Sequence, residues 1–89
     1  MEEKEFKIIV KEVTTKDGKK KFKSFKFVDE ENKGRLIDCV ICKSVDDGAL
    51  DIISSSKKVK VTGEVYVERN AYEYPKAFVR KATNVVVIN

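Results

Sequence analysis

Along Lys57 to Val67 the chain reads K-K-V-K-V-T-G-E-V-Y-V, so that Val59, Val61, Val65 and Val67 alternate with Lys58, Lys60, Thr62, Glu64 and Tyr66. A period of two sends one set toward a core and the other toward water, which predicts a strand and excludes a helix. Gly63 stands where a valine would complete the buried row. That break predicts a sharp bend or a close approach of backbone, as a small closed barrel requires at its corners.

The same alternation organises most of the chain. Phe6 to Val13 predicts a first strand, with Phe6, Ile8 and Val10 on one face and Ile9 and Val13 on the other. Asp17-Gly18 in the following polar stretch supplies the positive backbone angle of a tight hairpin. A second strand follows from about Lys20 to Val28, with Phe25 and Phe27 assigned to the core and Lys20, Phe22, Ser24 and Lys26 to the opposite face. Asp29 to Gly34 is a polar turn, and Arg35 to Cys42 a third strand whose core face is Ile37, Cys39 and Ile41.

Between the third strand and Lys57 the period changes. Val45, Ala49, Ile52 and Ile53 are spaced i, i+4, i+7 and i+8, and Ser44 followed by Asp47 resembles a capping box, which predicts one short helix within Ser44 to Ser56. After the central strand, Glu68 to Tyr74 is a polar loop bearing aromatics, and Pro75 opens a last strand in which Ala77 and Val79 face inward. Lys81 to Asn84 interrupts that alternation ahead of Val85 to Ile88, which predicts a bulge or kink and a closing segment.

Three meandering strands, a short helix and two further strands match the all-β, five-stranded OB-fold, a Greek-key barrel with one short helix between strands 3 and 4. An SH3-like barrel would lack that helix. The 89 residues suit one domain, 1–89, able to bury about 60–65% of its unfolded surface without a metal or disulfide. No apolar run approaches the roughly 20 residues of a membrane span, and the first residues lack the pattern of a signal peptide, so no membrane partner and a cytoplasmic location are expected.

The net charge of +4 matters less than where the cations lie. Lys16, Lys19, Lys20, Lys21, Phe22, Lys23 and Lys26 fall in one stretch, and Arg69, Tyr72, Tyr74, Lys76 and Arg80 surround the connection between strands four and five. Cations release counterions from phosphates while aromatic faces stack on bases, so their mixture points to single-stranded nucleic acid. The candidate binding residues are Lys20, Phe22, Lys26, Arg69, Tyr72, Tyr74, Lys76 and Arg80, with Leu36 and Tyr66 left open. A lysine run beside a turn is also what a solvated hairpin looks like.

Other chemistries find little footing. Cys39 and Cys42 have C-x-x-C spacing, but residues three apart on a strand point to opposite faces, so they are expected as free, metal-free thiols. The chain has no histidine, no phosphate-binding glycine loop and no nucleophile with a base at fixed spacing. Asp29, Glu30, Glu31, Asp46 and Asp47 suit turns and a helix start. Neither a cofactor nor an enzymatic activity is expected.

From Phe25 to Ile88 the chain resembles the bacterial and phage single-stranded DNA-binding protein family. The residues that carry the likeness are Ser24-Phe25-Lys26-Phe27, Cys39-Val40-Ile41-Cys42-Lys43 and, best, Val59-Lys60-Val61-Thr62-Gly63-Glu64-Val65 against that family's V-x-V-x-G-x-L strand. The resemblance implies an OB-fold that binds single-stranded DNA with low sequence specificity, some self-association, and service in phage or mobile-element DNA replication or recombination. The family's stacking tryptophans are absent, with Leu36 near the place of one of them, and its acidic tail is not expected after Val87-Ile88-Asn89. The alternative from another class is an OB-like barrel that binds protein without nucleic acid.

Overall fold

A computed structural model describes residues 3–42 and 45–88. Its strands are β1 (Glu3–Thr14), β2 (Lys21–Asp29), β3 (Arg35–Ile41), β4 (Lys58–Arg69) and β5 (Pro75–Val87), and its helix α1 (Asp47–Ser55) lies between β3 and β4. The strands close in the order β1-β2-β3-β5-β4, with β3 and β5 parallel and every other pair antiparallel. This is the all-β, OB-like barrel that the alternation predicts. Among the described residues no helix is long and apolar enough to cross a membrane.

The core follows from the alternation of faces. Phe6, Ile8, Phe27, Ile37, Cys39, Val59, Val61, Val65, Ala77 and Val79 are buried inside the barrel strands, joined by Val45 and by Ile53 from α1. Phe6 and Phe27 meet with ring centroids 5.4 Å apart, and the helix packs against β5 and β1. Val67 departs from the expected core row and is 43% exposed. The described pairing of β4 with β1 stops at Glu64 opposite Glu3, so Val67 has a strand neighbour only on the β5 side.

Two bulges in β5 explain its broken alternation. Opposite β4 the partner jumps from Asn84 to Ala82 between Thr62 and Gly63, and from Lys81 to Val79 between Glu64 and Val65. Thr83 and Arg80 are the extra residues, and each restores the inward phase, so that Val79, Ala82 and Val85 all turn toward the core. Gly63 sits between the two.

The helix begins differently from the capping box expected of Ser44 and Asp47. Asp46 is the N-cap, its carboxylate accepting from the N–H groups of Gly48 at 3.0 Å and Ala49 at 3.2 Å. One carboxylate satisfies two otherwise unpaired donors and places negative charge at the positive end of the helix, which a serine cannot match. Ser44 lies outside the described residues.

Candidate nucleic-acid interface

The outward positions of β3, β5 and β4 form one continuous surface. Strand register sets Val40 beside Phe78 and Phe78 beside Tyr66, and the Tyr66 and Phe78 rings stack at 5.1 Å with 12° between their planes. The guanidinium carbon of Arg80 stands 4.9 Å from the centre of the Tyr66 ring. Arg80 is the extra residue of one bulge; it keeps the outward phase of Lys76 and Phe78, and the alternation is reset after it. Cation and rings form a single stacked unit.

Two residues along, the next row across the same surface is Lys26 on β2, Asp38 on β3, Lys76 on β5 and Glu68 on β4. Lys26 is ion-paired with Asp38. The charges alternate in sign across four strands.

The β4–β5 connection is built on Asn70. Its side-chain oxygen accepts from the N–H groups of Tyr72 at 2.9 Å and Tyr74 at 3.1 Å, while its carbonyl accepts from Glu73 N–H at 2.9 Å. This is the local competition that asparagine offers to regular structure, and it turns the chain with Glu73 at φ 62°. Tyr72 and Tyr74 project from it, 79% and 67% exposed. Arg69 continues the inward row of β4 and lines the barrel mouth with Lys4, Arg35 and Asn32.

The candidate residues therefore divide. Lys26, Lys76 and Arg80 share the outer surface, and Tyr72 and Tyr74 rise from the loop that ends β4 and begins β5. Lys20 and Phe22 are set apart: β2 pairs with β3 only as far as Lys26, and Phe22 lies opposite Val13 on β1, four residues or ~13 Å farther from the β4–β5 loop. In that hairpin Gly18 has φ 73°, as Asp17-Gly18 predicts, and Lys20 N–H donates to the Thr15 hydroxyl. The Thr15 hydroxyl and the Lys19 N–H hold the Asp17 carboxyl below its usual range. Nearby cations are already engaged, Lys21 with Glu12 at 3.6 Å and Lys23 with the Ser54 carbonyl.

Alternation sets Phe78 with Lys76 and Arg80 on the face opposite Ala77 and Val79, but Phe78 is not among the candidate binding residues, and Tyr66 is left open. Alternation alone marks both as outward aromatics on strands, which is the available signal. Their contact depends on a register that two bulges reset.

Cys39 is buried, whereas Cys42 falls just past β3 and is half-buried, its N–H donating to the Val79 carbonyl. Burial first, and the neighbouring Cys42 second, push the Cys39 thiol up to about 12. Among the described residues no group of three or more His, Cys, Asp or Glu is placed to hold a metal.

No family model, curated protein or solved structure matches this chain.

Proposed function

We propose that the protein is a non-enzymatic module that binds single-stranded nucleic acid, DNA ahead of RNA, with little sequence preference. The observation that carries this reading is the stacked unit of Phe78, Tyr66 and Arg80 on the outer barrel surface, beside the exposed Tyr72 and Tyr74. Aromatic rings left at a surface rather than drawn into the core offer flat faces and edges to unpaired bases, each stacking contact being worth roughly 1–3 kcal/mol. Lys26, Lys76 and the guanidinium of Arg80 supply cations for the intervening phosphates. The strand would run from the Tyr72–Tyr74 loop across β4, β5 and β3, with Lys20 and Phe22 touching only a longer ligand that reaches the β1–β2 hairpin.

The test is fluorescence anisotropy with labelled oligothymidine and a matched duplex at two salt concentrations. Binding of oligothymidine that weakens steeply with salt and exceeds binding of the duplex is the expected result. No binding at low salt, or a preference for duplex, overturns the reading in favour of a protein-binding barrel.

A further inference from the structure

The row beside the aromatic unit holds an acid where a polyanion-binding surface would be expected to carry only cations. Asp38 occupies the middle of it, ion-paired with Lys26 on one side and in register with Lys76 on the other. Lys76 is itself flanked by Glu68, and Lys26 by the apolar Ile9. Asp38 is solvent-exposed, with 58% of its side chain accessible, so burial does not explain its presence. A surface evolved only to attract phosphate gains nothing from this arrangement, because the carboxylate repels phosphate and occupies Lys26.

A carboxylate does suit an unpaired base. An ionised Asp is an acceptor only, and every base carries at least one N–H donor on its pairing edge. In a duplex those donors are consumed by the opposite strand, leaving phosphates as the main feature that meets this surface. Asp38 lies one outward step, ~7 Å along β3, from Val40, which neighbours Phe78. A base stacked on the aromatic unit can turn its edge toward that carboxylate.

We propose, resting on the single-strand reading above, that Asp38 is a specificity-determining residue that admits unpaired bases and turns away double-stranded nucleic acid. The row from Lys26 to Glu68 then acts as a filter by chemical group: its two acids temper, without cancelling, the pull of Lys26 and Lys76 on phosphates, and Asp38 offers an acceptor to base edges.

The experiment compares the full chain with Asp38→Asn on three probes: oligothymidine, an abasic phosphate oligomer of equal length, and a matched duplex. Thermal melting of both proteins checks that the exposed substitution leaves the barrel intact. The expected result is that Asp38→Asn binds duplex and abasic oligomer several-fold tighter, with a steeper salt dependence because Lys26 is released, while oligothymidine gains less. The preference for oligothymidine over each of the other probes should fall by about threefold or more. Equal gains on all three probes, or no change, overturn the role of Asp38 while leaving the single-strand reading intact. Failure of the unsubstituted chain to bind oligothymidine defeats that reading, and this inference with it.

Discussion

Tyr66 on β4 and Phe78 on β5 lie ring against ring, 5.1 Å apart and 12° from parallel, on the outside of the barrel. A stacked pair is worth about 0.5–1.5 kcal/mol beyond the area it buries, so removing either ring should lower stability slightly and binding more. Tyr66→Ala and Phe78→Ala are each expected to weaken oligothymidine binding by about 1–3 kcal/mol. Because the rings act together, the double substitution should cost less than the sum of the two. Anisotropy titrations of the four proteins check this, and strict additivity would mean that the rings contact the ligand independently.

Gly63 approaches its partner strand so closely that a Cβ on it would stand 2.0 Å from the Lys81 carbonyl oxygen. Backbone cannot move aside as a flexible side chain can. Gly63→Ala should therefore force β4 and β5 apart between the two bulges and destabilise the barrel by about 1–3 kcal/mol, the usual cost of overpacking. Urea unfolding should show a lower midpoint with an unchanged slope. An unchanged midpoint would show that the bulges absorb the methyl group.

How far the residues announced this arrangement can be seen at particular positions. Gly63 and the break at Lys81 to Asn84 were legible, since a strand that loses its alternation and keeps its apolar residues must bulge. The helix was legible from its period, but Asp46 as its cap was not, because Ser44 and Asp47 also satisfy a capping pattern. The separation of Lys20 and Phe22 from the rest was hidden too: it depends on where β2 leaves β3, a tertiary fact that no local pattern encodes. Val67 misled for a related reason, its alternation being sound while the described pairing with β1 ends at Glu64.

The two thiols should behave differently. Cys39 is buried with its thiol pushed up to about 12, while Cys42 is half-buried beyond the end of β3. At pH 8, a thiol reagent should modify one cysteine quickly in the native protein and both in denaturant, with the fast reaction abolished by Cys42→Ser. The sign of the pH effect follows. Above the ordinary value of 9.0, Cys39 loses its proton in the unfolded chain but keeps it when folded, so it binds more protons folded than unfolded. Its contribution to stability is present in full below about pH 9 and is lost as the pH rises toward 12. Cys39→Ala, although less stable near neutrality, should show a shallower loss over that range.

Asn70 organises the loop that carries Tyr72 and Tyr74 by accepting from both of their N–H groups. If the two tyrosines stack on bases, their exposure is useful only while the loop is already shaped, because ordering it upon binding would draw on the binding energy. Tyr72→Ala and Tyr74→Ala should then each cost about 1–3 kcal/mol in oligothymidine affinity. Asn70→Ala touches neither ring, yet it should also weaken binding, by about 1 kcal/mol for the hydrogen bonds lost, and leave the salt dependence unchanged because no cation is removed. Asn70→Asp keeps an acceptor in place and should retain the loop shape, although its added charge should reduce affinity in a salt-dependent way. Anisotropy at two salt concentrations separates these outcomes. Full affinity in Asn70→Ala would show that the loop needs no preformed turn, and full affinity in both tyrosine variants would confine the ligand to the Tyr66–Phe78 surface.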